Sequence, residues 1–343
     1  VSSSYEANQA GMSFERLQKI APTLTNLYLK TGKFPGFISA VARKGKVVHY
    51  ETIGFSDIET GESLQKDSLF RIYSMSKPIT GVALMILLEE GKVRLNDPVS
   101  LYIPEFGQTK VLVVNEDGTT ELVEQNKQMT LRDLATHTSG IAYDFTANEQ
   151  LASIYRENNL SPYFAFNEVT EDSFRNGFLS STKPFKDICN FSETLAREAP
   201  LMHQPSANYT YSMGMDVLGC IIERASGMRF DLFLKDKIFT PLNMQDTSFS
   251  VPESKRDRFT SLYAEVKELR RFSPDLDQAL PKDLTMLRVD GKQNSAYCQE
   301  ASVFDGGSGL VSSAEDYLKF VQMLLNGGKL GDARIISLSL IHI

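Results

Sequence analysis

The chain has 343 residues, 42% of them hydrophobic, with 36 Lys and Arg set against 43 Asp and Glu for a formal net charge of -7. That is enough apolar side chain to fill one large or two ordinary cores, so disorder is not the default reading. The acidic balance leaves no broad cationic surface to offset phosphate charge, which argues against nucleic-acid binding.

Cys189, Cys220 and Cys298 stand far apart with no C-x-x-C between them, so the expectation is three buried thiols rather than a disulfide framework or a zinc knuckle. The longest apolar run, residues 79–88, is broken by Thr80 and Gly81. It is about half of the roughly 20 residues a membrane span needs, and no span is expected. Val1-Ser-Ser-Ser lacks the basic start and apolar core of a secretory signal and reads as a cleavage or cloning boundary. Compartment and oligomeric state stay open. The chain has no Trp.

In chain order, Ser13 is placed to cap a helix with Leu17, Ile20, Leu24 and Leu27 on one face, kinked at Pro22. Residues 37–42 and 47–50 flank Lys44-Gly45 and predict a β-hairpin. Residues 76–90 are apolar around most of a helical circumference and stop at Gly91, the pattern of a helix buried on nearly all sides. A second hairpin is expected where residues 111–114 and 121–123 flank Asp117-Gly118. Thr130-Leu-Arg-Asp133 forms a capping box for a short helix ending by Thr138-Ser-Gly140.

Residues 142–190 have no clean period and predict loops or a lid. Helices follow near 192–198, over 215–225 up to Gly227, and over 231–238. Residues 253–300 read as charge-rich and irregular, and Ser312-Ser-Ala-Glu315 caps a last helix closed by Gly327-Gly328. Strands followed by a long helical middle predict an α+β fold, a sheet domain interrupted by a helical insertion.

The chemistry concentrates at Ser74-Met-Ser-Lys77, just before the buried helix. Residues three apart share a helical face, so the Lys77 amine can reach the Ser74 hydroxyl. A lysine in that crowded, poorly solvated place gives up its proton more readily and can then accept the serine proton. Burying it without a purpose would be costly. Ser76 is at the wrong distance from Lys77 for the same partnership.

The run from residue 70 to 106, with Ser-Met-Ser-Lys-Pro78, Leu87-Leu-Glu-Glu-Gly-Lys92 and Leu95-Asn-Asp-Pro98, resembles the serine β-lactamase-related family. It is most similar to the class C-like branch that holds family VIII carboxylesterases, D-alanyl-D-alanine peptidases and some acyltransferases. Thr130-Leu-Arg-Asp-Leu-Ala-Thr-His-Thr-Ser-Gly140, Tyr211-Ser-Met-Gly-Met-Asp-Val-Leu-Gly219, the segment 238–249 and Gly306-Gly-Ser-Gly-Leu310 extend the resemblance over most of the chain.

The resemblance implies a β-lactamase/transpeptidase-like fold, an antiparallel sheet flanked by helices plus a helical domain. Its division would be 1–95 for the first part of the α/β domain, 96–240 for a mainly helical domain with a lid-like insertion, and 241–343 for an incomplete return to the α/β domain. It implies a serine hydrolase working through an acyl-enzyme on an ester, or on an amide or β-lactam, with Ser74, Lys77 and Tyr211 catalytic and no cofactor or metal. The alternatives are an acyltransferase, a non-catalytic binding relative, or a fragment unable to turn over. The partner would be a small ester or amide.

Tyr209 competes with Tyr211 on spacing. Met213 stands where many β-lactamases have Asn, a departure that favours esters. The family's third motif, a strand that supplies one oxyanion-hole N–H beside the nucleophile's own, is not recognisable after Gly328, so the C-terminal strands are expected to be missing. Residues 335–343 read as an apolar tail unlike the family. Lys30-Thr-Gly32 precedes Ser74 and is expected to be a helix terminus. His137 is read as a structural hydrogen-bonding residue, and His49, His203 and His342 have no ligand spacing. No Gly-x-Ser-x-Gly elbow occurs, and Gly306-Gly-Ser-Gly309 lacks the context of a dinucleotide site.

Overall fold

The computed structural model describes residues 4–160, 185–267, 282–292 and 295–340. The first sheet is antiparallel, in the order β1 (Gly36–Arg43), β2 (Lys46–Asp57) and β3 (Glu62–Ser63). Lys44 and Gly45 turn the β1–β2 hairpin with φ of 52° and 73°, the pair of positive values that the twist of a two-residue turn demands. Alternation breaks between Val41 and Ala42, where the register shifts at a bulge. The first helices α1 (Ser4–Gln9), α2 (Phe14–Leu17) and α3 (Ile20–Leu24) lie against this hairpin, with Ala7, Ala10, Leu17 and Val48 making a small core. Ser13 caps α2 as its sequence predicts, its hydroxyl taking the Arg16 N–H. The single kinked helix expected there is in fact α2, α3 and a wider-wound turn, Thr25–Leu29, and Lys30-Thr-Gly32 does lie at its terminus.

Strand β4 (Leu69–Arg71) leads into the site and pairs with β9 (Val311–Ser313), Leu69 opposite Ser313 and Arg71 opposite Val311. Single bridges carry the ladder outward, Leu69 to Phe259 and Ser248 to Val311. The second predicted hairpin is β5 (Val111–Val114) with β6 (Thr120–Val123). Residues 253–300, expected to be irregular, contain a further hairpin of β7 (Leu262–Glu265) and β8 (Met286–Asp290). A strand of four or five residues whose side chains are mostly half-buried leaves little alternation to read.

After β4, helix α4 (Ser76–Glu89) runs through the main core, with Ile79, Ala83, Leu84 and Leu87 fully buried. Helices α8 (Gly214–Ser226) and α9 (Phe230–Leu234) lie directly against it, and α5 (Leu131–Ala135), α7 (Ile188–Glu198) and α10 (Ala314–Leu325) share the same core. Thr130 and Asp133 form the capping box of α5, while α10 is capped one residue later than its sequence predicts, Ser313 Oγ accepting the Asp316 N–H at 3.2 Å. The segment 142–190 is less irregular than its sequence predicts. It contains α6 (Glu149–Glu157), capped by Asn148, and its end already belongs to α7, while 161–184 lies outside the described residues. Ahead of the expected apolar tail the chain turns back through β10 (Lys329–Leu330) and β11 (Ala333–Arg334), and the tail begins by burying Ile335 and Ile336 on the core, while 341–343 lies outside the described residues. Among the described residues, no helix is long and apolar enough to cross a membrane.

Two links fix elements that carry the site. Arg71, at the end of β4, is buried with Asp290 of β8. Its Nε donates to Asp290 Oδ2 at 2.8 Å, its Nη1 to the Thr260 carbonyl at 2.6 Å, and its guanidinium lies 4.0 Å from the Phe259 ring centroid. The second link corrects the reading of three free thiols. Cys189 on α7 and Cys220 on α8 lie with sulfurs 2.12 Å apart, a disulfide between packed helices, and Cys298 alone remains a buried thiol. A separation of 31 residues with no local motif gave no sequence signal, because helix packing makes the pair.

Removing one partner of a buried ion pair leaves the other uncompensated, so Asp290→Ala is expected to cost about 3–5 kcal/mol in urea unfolding. A loss below about 1 kcal/mol would show that the pair does not anchor β4. Denatured without reductant, the protein should present one titratable thiol per chain, and three after reduction. Three before reduction would exclude the disulfide.

Candidate active site

Ser74 lies in a tight turn, Tyr73–Met75, that runs directly into α4. Tyr73 enters the turn with φ of 41°, a left-handed backbone unusual for an aromatic residue and the kind of local strain that gathers at functional positions. Lys77, the second residue of α4, brings its Nζ to 3.2 Å from Ser74 Oγ, the contact that the three-residue spacing predicts. Lys77 is buried and also donates to the Gly307 carbonyl at 2.8 Å. Ser76 faces the other way, its hydroxyl accepting the Leu310 N–H at 3.2 Å.

Tyr211 comes from the segment that leads into α8, 137 residues from Ser74 in sequence, and its hydroxyl lies 2.6 Å from Ser74 Oγ. The Lys77 ammonium sits 4.8 Å from the centre of the Tyr211 ring and 5.4 Å from that of Tyr143. A cation at this range favours the electron-rich faces of both rings. Tyr209, the competing tyrosine, is exposed and turns its ring toward His137 rather than Ser74. Met213 is fully buried and presents no polar atom to the site.

The Gly-rich segment before β9 holds Lys77 in place. Thr80 on α4 donates to the Gly306 carbonyl at 2.6 Å, and the Gly307 N–H lies 3.1 Å from Asp216 Oδ1 and 2.9 Å from Asp305 Oδ1. A side chain at 307 would place its Cβ 2.7 Å from Asp216 Oδ2, so glycine is required by space there. Asp216 and Tyr143 are the residues that reading the sequence missed. A single Asp inside the apolar pattern of 215–225 was the available sign of the first, and the second falls in a stretch without a period.

His137 has the structural role expected of it. The Ser212 N–H points to Nδ1 at 3.2 Å, and the Ser212 hydroxyl lies 3.1 Å from the same nitrogen. A nitrogen that accepts an N–H is unprotonated, which sets the proton on Nε2. Burial, then the nearby Lys77 charge, depress His137 to about 4. His49 pairs with Ser39 and His203 with Thr210, while His342 lies outside the described residues. Among the described residues, no group of three or more metal-ligating side chains converges.

The unfolded chain protonates His137 near its ordinary value of about 6.5, whereas the folded protein resists until about 4. The unfolded state therefore holds more protons between those values, and this contribution to stability falls as pH drops through the window. His137→Asn keeps a side-chain acceptor and tolerates the φ of 58° while removing the titration. Urea unfolding from pH 7 to pH 4 should give a shallower decline for this variant than for the parent. Equal slopes would mean His137 does not stay neutral on folding.

Comparison with known proteins follows the same path through the chain. The Beta-lactamase family model matches residues 18–339, so most of the tail after 335 falls within the family's span, contrary to its sequence impression. Protein Rv1367c of Mycobacterium tuberculosis (strain ATCC 25618 / H37Rv) is 29% identical over 306 residues, covering 89% of this chain and 66% of that protein. Esterase EstB of Burkholderia gladioli is 28% identical over 305 residues, covering 86% of this chain and 67% of its own length. The chain thus spans about two thirds of the length of these relatives. The solved structure of EstCE1, a hydrolase with promiscuous acyltransferase activity, superposes with a TM-score of 0.68 at 21% identity, over 96% of this chain and 76% of that one. It supports the β-lactamase/transpeptidase-like fold. With a family match covering residues 18–339, the chain belongs to the Beta-lactamase family.

Proposed function

We propose that the protein is a serine hydrolase acting on ester carbonyls through an acyl-enzyme at Ser74. The observation that carries this reading is convergence on one oxygen: Ser74 Oγ has the Tyr211 hydroxyl at 2.6 Å and the Lys77 amine at 3.2 Å. In the reaction, Ser74 Oγ bonds to the carbonyl carbon while its proton passes to the Lys77–Tyr211 pair. The pair returns the proton to the departing alkoxide as the ester C–O bond breaks, releasing alcohol. Water then attacks the acyl carbon, gives a proton to the same pair, and leaves as the carboxylic acid while Ser74 recovers its hydrogen. The cation beside the Tyr211 ring supports the phenolate that this exchange requires. The Ser74 N–H would serve as one oxyanion donor.

Esters are favoured over β-lactams because Met213 is buried, so a substrate amide finds no side-chain partner at that position. A relative named as an esterase agrees with this. Acyl transfer is the second reading, favoured by the promiscuous acyltransferase activity named for EstCE1. It needs the same residues and only an alcohol in place of water.

A fluorophosphonate probe is expected to label the intact chain and not Ser74→Ala. Tyr211→Phe should slow labelling by about a hundredfold or more, the usual weight of a positioned proton acceptor. Labelling of Ser74→Ala at the parent rate would overturn the assignment. Adding a competing alcohol during ester turnover separates the two readings, a new ester marking transfer and acid alone marking hydrolysis.

A further inference from the structure

A row of rings runs past Ser74, and proton transfer uses only its centre, Tyr211. Phe145 stacks on Tyr143 with centroids 5.0 Å apart and planes 9° from parallel, and Tyr143 meets Tyr211 at 5.3 Å. On the other side Tyr211 meets His137 at 4.8 Å, and His137 meets Tyr209 edge-on at 5.9 Å. Inside the row Tyr143 and His137 are buried, but its ends are open: Phe145 is 61% exposed and Tyr209 68%. Met75, next to Ser74 in the chain, is 48% exposed. Single exposed apolar side chains are ordinary on a protein surface, but here the two exposed rings flank the Tyr143–Tyr211–His137 stretch whose centre meets Ser74, and Met75 adjoins Ser74 in the chain.

The residue that follows each end is bonded to the stretch that presents Tyr211 or to its neighbour His137. The Thr146 hydroxyl, one residue past Phe145, donates to the Tyr211 carbonyl at 2.9 Å and accepts the Tyr143 N–H at 2.9 Å. Thr210, one residue past Tyr209, donates its N–H to the His137 carbonyl at 2.8 Å, and its hydroxyl lies 3.0 Å from His203 Nε2. A chain tied down beside each ring leaves less to order when a ligand arrives.

We propose that Phe145 and Tyr209 form an aryl-binding rim, and that the preferred substrates are esters with an aromatic group in the acyl or the alcohol half. The assignment rests on Ser74 as the reacting group. Ring faces and edges recognise flat apolar groups, and Met75, Phe145 and Tyr209 contribute no charge. Lys77, the one cation among the described residues that build this site, is already engaged by Gly307 and Ser74. An ester that carries a free carboxylate gains nothing from such a rim.

The test compares methyl acetate with methyl phenylacetate for the acyl half, and with benzyl acetate for the alcohol half, by acid release. At least one aryl ester should exceed methyl acetate by about tenfold or more in kcat/KM. Phe145→Ala combined with Tyr209→Ala should erase most of that ratio, chiefly through KM. Both side chains are exposed, so the double variant leaves the core intact. Calorimetric binding of benzyl acetate and methyl phenylacetate to Ser74→Ala, with and without the two rim substitutions, separates the rim from the chemistry. Aryl binding that depends on the rim, without turnover of any ester, would sink the hydrolase reading and leave the rim standing. A parent with no aryl preference, or aryl binding to Ser74→Ala that is undetectable or indifferent to both rings, would overturn the rim.

Discussion

A lysine ammonium buried at the head of an apolar helix must be given acceptors, because an unpartnered charge there would cost far more than a marginally stable fold can absorb. Lys77 is in that situation, 7% exposed at the start of α4. The Gly307 carbonyl, the Ser74 hydroxyl and the faces of Tyr143 and Tyr211 surround it. These four groups come from four separate parts of the chain. Meeting the needs of one cation therefore assembles the site.

The supporting parts follow from that requirement. Gly307 presents its carbonyl to Lys77 because its N–H is taken by Asp216 and Asp305, and Asp216 reaches it only because residue 307 has no side chain. Tyr211 is held between the rings of Tyr143 and His137, with its carbonyl bonded by Thr146. Arg71 and Asp290 brace the strand that delivers Ser74, and the Cys189–Cys220 link braces the helix that follows Tyr211. All but Arg71 are remote from the reacting oxygen in sequence, and each limits how far Ser74, Lys77 and Tyr211 can drift from one another. That is the preorganisation a nucleophile with a shared proton needs.

Local chemistry was legible in the sequence wherever one turn or one helical period sets it. The Ser74–Lys77 contact, the Lys44-Gly45 turn, the Thr130–Asp133 capping box and the all-round burial of α4 each depend on neighbours three or four residues apart. Tyr211 was reachable only through resemblance, because nothing within its own segment says that it meets Ser74. What stayed illegible depends on packing between distant elements: the disulfide, the Tyr143 ring over Lys77, and the hold of Asp216 on Gly307. Short elements hid as well. Helix α6 lies within a stretch judged aperiodic as a whole, and β7 and β8 are too short and too evenly half-buried to alternate.

The central claim is that Ser74 takes an acyl group from an ester and gives it up again. Rapid quenching during turnover of an aryl ester, followed by peptide mapping by mass spectrometry, tests it directly. The account predicts the acyl mass on the peptide containing Ser74, assigned by fragmentation to Ser74 rather than Ser76, and lost again once the ester is exhausted. An acyl adduct on another residue, or ester turnover with no adduct at Ser74 even when the second step is slowed, would contradict it.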